Sequence, residues 1–452
     1  MSRVLIACVP AAFFLAAALP AQTAPMRLAD ALDRATSQGF ANRAATASAA
    51  AERAAALAPL RGILPGARVE AGYMRTTDPI GVFGTNLRQR RIAATDFDPA
   101  RLNNPAAVGN HGAALVLEQP LFNADAWRAR RAAGQAADAA NDAATWARTN
   151  TAAQVIRAWY GAVFANARTR ALDTALISVN AHVRQARAME RNGMVTPSDA
   201  MLASVRAGEV EVMHLEAVAA VSLAHRGLAT AIGQPAETAF VLPAALPAAG
   251  ALRALATEVM AMTMVERADV AAAQAGVAAA SSNADRARSL LLPRLNSFAR
   301  LDWNSPDAPF GGRNNWTVGV MASWSPFSGA SELSERRVAT ARTEAAHAMR
   351  DGAVAQATLE QAQSLSAVEV ALARLAIAER GVGQAAAAHR LVARKYEGGL
   401  AAIPELLGAS AAEMQAQLAE AGARYALIVA LADRLQATGN NPAWLSRLDT
   451  LQ

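Results

Sequence analysis

The chain has 452 residues and a formal net charge of +6, and hydrophobic residues make up 53% of it. Much of that hydrophobic content is alanine, which forms helix well without requiring burial. The positive charge comes almost entirely from arginines that are scattered among acidic residues, not gathered in one basic stripe. This distribution argues against a nucleic-acid-binding protein.

Residues 1–21 are predicted to form a secretory signal peptide. Arg3 supplies the positive start, an apolar run follows from Val4 to Leu19, and cleavage is expected after Ala21, with Ala24 as the alternative. No later stretch has the ~20 apolar residues that a membrane-spanning helix needs. We therefore expect an exported protein.

The only cysteine, Cys8, lies inside this signal. The residues before it, Leu5-Ile6-Ala7, resemble the acylation box of a lipoprotein, but the apolar sequence continues beyond the cysteine. We therefore expect Cys8 to be removed, so the mature chain would have no disulfide and no thiolate metal site.

The mature chain begins with alternating helical and strand patterns. Leu28 and Leu32 stand at helical spacing, whereas Val69 and Tyr73 alternate with polar residues as in a strand. No proline interrupts the stretch from 123 to 191. The predicted elements are a helix over 26–62, a strand over 66–75, a long exposed loop over 76–111, a strand over 112–119, a helix over 123–191, and a helix from 198 to about 232.

The same plan then occurs a second time. Pro120 and Pro326 each close a strand, and Gly193 and Gly399 each follow a long helix; both pairs are 206 positions apart. This constant offset indicates an internal repeat. The second set of predicted elements is a helix over 252–291, strands over 294–303 and 316–325 with a loop at 304–315 between them, a long helix to about 397, and a last helix to about 438.

These landmarks divide the chain into two copies of one unit. The predicted domains are a signal peptide at 1–21, a first repeat at 22–233, a linker at 234–251, a second repeat at 252–438 and a C-terminal tail at 439–452. A helix of 68 residues would be ~100 Å long. Two shorter helices placed end to end match that length, so we predict a mainly α-helical rod with β-hairpins at one end and tight turns at the other.

The last strand carries a pattern that fits a lipid environment. Trp316, Val318, Val320 and Trp324 alternate with polar or small residues such as Thr317. Tryptophans eight residues apart bracket ~27 Å along a strand, which fits aromatic girdles at two membrane interfaces. A half-buried sheet of a soluble protein is the alternative. The proposed membrane-interface aromatics are Tyr73, Trp303, Trp316 and Trp324.

Four strands are too few to close a barrel, and lipid does not tolerate an open sheet edge. If the strands lie in a membrane, several chains must share one sheet. Three chains would supply twelve strands, which is within the known range for barrels. Membrane insertion thus predicts an oligomer.

The chain resembles the TolC family of outer-membrane channels. The resemblance is carried by the repeat, by the junctions Gln119-Pro120-Leu121-Phe122 and Ser325-Pro326-Phe327, by the Gly193 and Gly399 turns, and by Arg267-Ala268-Asp269-Val270. It implies a homotrimer in the cell outer membrane, with a shared 12-stranded β-barrel and an α-helical barrel across the periplasm. It also implies two partners, a periplasmic adaptor (membrane fusion) protein and an inner-membrane pump.

The resemblance implies that the turns far from the strands form the periplasmic entrance and the adaptor-docking tip. The residues assigned to this tip are Gly193, Thr196, Asp199, Tyr396, Gly399 and Glu405. The family often has an arginine latch in the second turn, but Ala401 stands at that position, so the usual ion-pair latch is not expected. Asp199 and Glu405 either line the entrance or serve only as acids that favour the start of a helix.

The resemblance implies an exit duct of a tripartite efflux or type I secretion system, which passes small molecules or polypeptides. A periplasmic coiled-coil scaffold or adaptor without a pore is the alternative. The six histidines are dispersed, and no motif for catalysis, a cofactor or a metal occurs. We therefore expect no enzyme and no cofactor. Nothing in the sequence encodes the cargo, the pump or the adaptor.

Overall fold

The computed structural model describes residues 26–450, and the predicted signal peptide lies outside them. The chain folds into ten α-helices and four β-strands within that range. In chain order they are α1 Leu28–Gln38, α2 Phe40–Ala55, β1 Gly66–Thr76, α3 Pro79–Arg88, α4 Pro99–Asn103, β2 Val108–Phe122, α5 Ala124–Arg191, α6 Pro197–Ala231, α7 Ala249–Ala261, α8 Ala268–Ser289, β3 Arg294–Ser305, β4 Arg313–Ser323, α9 Ser331–Glu397 and α10 Ile403–Ala437.

The two long helices are confirmed: α5 has 68 residues and α9 has 67. Two other predicted helices are wrong because each is divided. The helix predicted over 26–62 is interrupted at Gly39, and Asn42 Nδ2 caps the first part by donating to the Ala35 carbonyl at 3.0 Å. The helix predicted over 252–291 is interrupted between α7 and α8. Within residues 26–450, no helix combines the length and apolar character needed to cross a membrane.

The long helices organise a wall that is one helix thick and four helices wide. In the half nearer the sheet, the packing order is α2, α5, α8, α9, and in the half nearer the Gly193 and Gly399 turns it is α6, α5, α10, α9. Pairs of shorter helices placed end to end therefore lie along each long helix, as the length argument predicted: α2 and α6 lie along α5, and α8 and α10 lie along α9. The wall has two open edges, one formed by α2 and α6 and the other by α9.

The main hydrophobic core lies around the middle of the long helices. Ile156, Trp159 and Tyr160 of α5 are fully buried there. They pack with leucines of α1, α7, α9 and α10, and with Leu445 and Leu448 of the C-terminal segment. That segment, predicted as a tail, forms a 3-10 helix over Pro442–Thr450. This belt of packed side chains fixes the two halves of the chain to each other.

The four strands form one antiparallel sheet in the order β1-β2-β3-β4. All four predicted strands are present, and β2 is longer than predicted because its pairing with β1 begins at Val108. β4 ends at Ser323, so Trp324 lies just beyond the strand in which it was predicted. The outer strands β1 and β4 each pair on one side only, so the sheet ends in two open edges.

The prediction of an exposed loop over 76–111 is wrong in part. The segment contains α3, a 3-10 turn over Ala94–Phe97 and α4. Aspartates start the two helices: Asp78 accepts from the Gly81 N–H at 2.6 Å, and Asp98 accepts from the Ala100 N–H at 2.9 Å. The same Asp and Pro residues that suggested a loop are here the N-caps and first residues of short helices.

Candidate functional site

One face of the sheet is apolar across all four strands. The register aligns Val69 with Leu115, Leu115 with Leu301, and Leu301 with Trp316. A neighbouring row on the same side contains Leu117 and Val318. Several of these side chains are strongly exposed, and Trp316 reaches 74%. We call this side of the sheet the tryptophan face.

The opposite side of the sheet, here called the charged face, carries a network of ion pairs. Arg300 Nη1 lies 3.2 Å from Glu70 Oε2, and its Nε lies 2.8 Å from Asp302 Oδ1. Arg68 Nε contacts Glu70 Oε1 at 2.8 Å, so the network joins β1 to β3 across β2. Thr317 lies on this face, directly opposite Arg300. The two faces are therefore built for different surroundings, one apolar and one polar.

The predicted interface aromatics lie towards the two ends of the sheet. Tyr73 packs on His111 with ring centres 4.7 Å apart, and Trp303 packs edge-on against Phe310 at 5.5 Å, both near the hairpin loops. Trp324 lies at the opposite end, where its Nε1 donates to the Leu291 carbonyl at 3.1 Å. Aromatic side chains thus border the apolar band at both ends.

The turns at the far end of the wall are built alike. Gly193 and Gly399 have φ angles of 69° and 73°. After Gly193, the Met194 N–H donates to the Met189 carbonyl at 2.9 Å, and after Gly399 the Leu400 N–H donates to the Lys395 carbonyl at 2.7 Å. These bonds form a Schellman motif, in which glycine takes the left-handed position that closes the helix. We call the two turns and the helix ends beside them the tip.

The tip has its own buried cluster. Tyr396 at the end of α9 is 3% exposed and packs with Val183 of α5 and Ile403 and Leu406 of α10. Burial raises the pKa of its hydroxyl, and the carboxylate of Asp199 raises it further. Ala200, the residue after Asp199, packs in the same cluster as Tyr396, so the structure brings these two predicted residues to the same part of the tip.

The two predicted tip acids have different surroundings. Asp199 belongs to a capping box: it accepts from the Thr196 hydroxyl at 2.7 Å and from the Thr196 N–H at 3.1 Å. Glu405 lies in the first turn of α10 and is exposed. Asp199 therefore acts as a helix-start acid, whereas Glu405 keeps its carboxylate in solvent. Ala401 is half-buried against the tip cluster.

The Arg267-Ala268-Asp269-Val270 segment forms a buried junction between three helices. The Arg267 guanidinium contacts Asp269 at 2.7 Å and Glu360 of α9 at 2.8 Å, and it lies 4.7 Å from the Trp146 ring centre of α5. Burial alone would lower the Arg267 pKa, but its hydrogen bonds to Asp269 and Glu360 outweigh that effect and raise it. Arg267 thus remains charged and ties α8 to α5 and α9.

Two of the histidines that are dispersed in the sequence meet in the wall. The rings of His182 and His389 pack edge to face, and His389 Nδ1 lies 2.5 Å from Glu413 Oε2. Their spacing in sequence, 207 residues, nearly equals the repeat offset, which is a signal that was available. No group of three or more metal-ligating side chains occurs in residues 26–450. The ion-pair network of the charged face was also missed, because strand register cannot be read from a single sequence.

The chain was compared with known protein families and proteins. Residues 260–440 match the family model described as outer membrane efflux protein. The comparison with curated protein sequences gives no match.

Solved structures give the fold. The outer membrane protein VceC of Vibrio cholerae is 20% identical, with 92% of this chain and 96% of that chain covered and a TM-score of 0.74. A membrane protein of Pseudomonas aeruginosa is 20% identical over 92% and 93%, with a TM-score of 0.76. The CmeC outer membrane channel of Campylobacter jejuni is 15% identical over 91% and 85%, with a TM-score of 0.75. The chain therefore has the fold of these membrane proteins.

Proposed function

We propose that this chain, whose residues 260–440 match the outer membrane efflux protein model, is the exit duct of a tripartite efflux or type I secretion system and works as a homotrimer. The observation that carries the proposal is that the protomer is an incomplete wall. Both its sheet and its helical layer end in two open edges.

The sheet edges support closure by further copies. β1 and β4 each leave one side of their backbone unpaired. Unpaired N–H and C=O groups are costly in lipid, where no water replaces the missing partner. When β4 of one copy pairs with β1 of the next, three copies give a closed barrel of twelve strands. The tryptophan face then meets lipid and the charged face lines the lumen.

The helical edges support the same arrangement. On α6, exposed residues follow the 4-3 spacing of a coiled-coil seam: Met201, Val205, Gly208, Val212, Leu215 and Ala219. On α9, Val370, Ile377 and Leu391 are exposed at multiples of seven. Such seams bury their apolar side chains against a neighbouring helix. Contact between α6 of one copy and α9 of the next would close a ring of twelve helices.

The tip is then the periplasmic entrance and the adaptor-docking end. The long helices carry it ~100 Å from the sheet, which is a length suited to crossing the periplasm. Its turns present exposed Gly193, Met194 and Leu400 around a buried cluster. A periplasmic adaptor would bind these turns and connect the duct to an inner-membrane pump. Small molecules or polypeptides would pass through the lumen.

Single cysteines can test both the trimer and the orientation of the sheet, because Cys8 is the only native cysteine and lies in the predicted signal. Purified protein in detergent should scatter light as three chains per particle. In vesicles, a small water-soluble maleimide should label Thr317→Cys and leave Val318→Cys unlabelled. A soluble monomer, or the opposite labelling pattern, would support a pore-free scaffold instead.

A further inference from the structure

The segment between β1 and β2 is anchored to the charged face by a chain of buried amides. Gln89 Nε2, at the end of α3, donates to Asn110 Oδ1 at 2.9 Å and to the Gly109 carbonyl at 3.0 Å. Asn110 Nδ2 in turn donates to Asn304 Oδ1 at 2.9 Å. All three amide side chains are buried. Strand alternation puts Asn110 and Asn304 on the charged face, so the anchor joins α3 to β2 and β3 on that side.

Other contacts place α3 on the same side. Thr76 and Val108 form the last β1–β2 pair, and alternation puts both side chains on the charged face. Val108 lines a cavity of about 340 Å³ between α3 and α4, together with Val82 and Phe83. Gly81 lies against Thr76, because a Cβ built on Gly81 would come within 3.2 Å of the Thr76 methyl carbon. The segment therefore folds over the charged face and not over the tryptophan face.

We infer that residues 77–107 form a size-selective constriction at the outward exit of the lumen, an inference that rests on the proposed trimeric channel. Twelve strands spaced by ~4.8 Å and tilted by ~40° enclose a barrel of roughly 12 Å radius. A helix with its side chains is about 10–12 Å across. One such helix lying on the inner wall of each copy therefore extends almost to the axis, and three together narrow the mouth.

The side of α3 that faces away from the sheet fits this position. Ile80 is 83% exposed and Leu87 is 56% exposed, and they lie on one face because they are seven residues apart. In the trimer, the equivalent side chains of the other two copies would cover them near the axis. The second hairpin has no such segment, since only 306–312 separate β3 from β4. One constriction element per copy is thus supplied by the first hairpin alone.

Labelling of a cysteine beneath the segment can test the inference. Thr317 lies on the charged face, four residues or about 13 Å from the start of β4 at the hairpin. Trimers carrying Thr317→Cys would be inserted in vesicles, and either a small maleimide or a bulky polyethylene-glycol maleimide would be added on the hairpin side. The small reagent should label the cysteine readily, whereas the bulky reagent should label it slowly.

Gln89→Ala removes both anchoring bonds of the amide and should speed labelling by the bulky reagent about tenfold, because the open segment becomes more populated. Asn314→Ala likewise removes a side-chain amide, at an exposed position on the other face of the rim, and should leave the rate unchanged. Replacing 79–104 by a short Gly-Ser linker should give the fastest labelling, and trimer formation would be checked for every variant.

Equal rates with the bulky reagent in the parent, the Gln89→Ala chain and the linker chain would overturn the constriction while leaving the channel in place. Failure of the small reagent to reach Thr317→Cys in the linker chain as well as in the parent would instead overturn the channel itself, and the constriction with it.

Discussion

The imidazole rings of His182 and His389 lie edge to face with their centres 5.9 Å apart, and this contact joins α5 of the first half to α9 of the second. The Glu413 carboxylate of α10 contacts Nδ1 of His389. Nε2 of each histidine is buried without a hydrogen-bond partner. The contact lies on the tip side of the wall, so it connects the two halves of the chain near the proposed entrance.

Acidification should weaken this contact. Burial, followed by the facing His389, holds the pKa of His182 below its ordinary value. The unfolded chain, with a histidine pKa of about 6.5, binds this proton more readily than the folded chain. The stabilisation is therefore complete above pH ~6.5 and is lost as the pH falls below it.

Thermal unfolding of the trimer at pH 8 and pH 5 would measure this effect. The drop in the unfolding midpoint on acidification should be smaller in His182→Asn than in the unmodified protein. His347→Asn, at an exposed position of α9, should keep the full drop. The same pH dependence in all three proteins would show that His182 does not contribute.

Loss of Arg267 should be among the more costly single changes in the wall. Arg267→Ala removes a buried guanidinium and leaves the partly exposed carboxylates of Asp269 and Glu360 facing each other, so it should cost about 3 kcal/mol, the low end of the range for breaking a buried pair. The comparison is Arg253→Ala, which removes a solvent-exposed pair with Glu379 and should cost less than ~1 kcal/mol. Urea unfolding followed by circular dichroism would give both values, and equal costs would contradict the buried junction.

The glycines at helix ends should fall into two classes. Gly399 has a left-handed backbone with open space around it, so Gly399→Ala should cost only the conformational strain of about 1–2 kcal/mol. Gly439 has the same backbone, but a Cβ there would lie 2.4 Å from the Val265 carbonyl oxygen, so Gly439→Ala should cost clearly more. Unfolding midpoints of the two variants would compare them, and a larger loss for Gly399→Ala would be the contrary result.

A bulkier residue at the tip should affect export and not assembly. Gly399→Val adds a branched side chain where only glycine fits the turn easily. Export through the complete system should fall, while trimers and the sheet remain as in the parent. Loss of the trimer itself would show that the turn is needed for assembly.

The sequence predicted the long elements well because their signals are local. An uninterrupted helical pattern defined α5 and α9, and period-two alternation defined β1 and β4. The break between α7 and α8 carried no such signal. No glycine or proline marks residues 262–267, and the helix stops where Val265 N–H donates to the Thr438 carbonyl at 2.9 Å, a contact from 173 residues away. Such tertiary contacts override local propensity.

The candidate site was predictable in position but not in detail. Glycines at one repeat offset located the tip, and alternation around Trp316 gave the two faces of the sheet. The Gln89 anchor was missed because Asn, Asp and Pro residues favour loops and short capped helices alike. The different surroundings of Asp199 and Glu405 could be seen only in the structure, since both acids lie in the first turn of a helix.

The difference between the capped Asp199 and the exposed Glu405 leads to a prediction for conductance. Asp199→Ala removes the capping box and should cost about 1 kcal/mol of stability with little effect on selectivity. Glu405→Gln removes an exposed carboxylate and should lower cation selectivity in a planar bilayer without loss of stability. If Glu405→Gln leaves both conductance and selectivity unchanged, its carboxylate does not line the entrance.

Ala401 allows the opposite experiment. Its side chain is half-buried against the tip cluster, and Glu405 lies one helical turn further along the chain. Ala401→Arg places a guanidinium beside an exposed carboxylate of the same turn, so the local ion pair should offset the negative charge of the entrance and lower the cation conductance. The Ala401→Arg, Glu405→Gln double variant should recover the conductance of Glu405→Gln alone. An unchanged conductance in Ala401→Arg would place the narrowest part of the channel away from the tip.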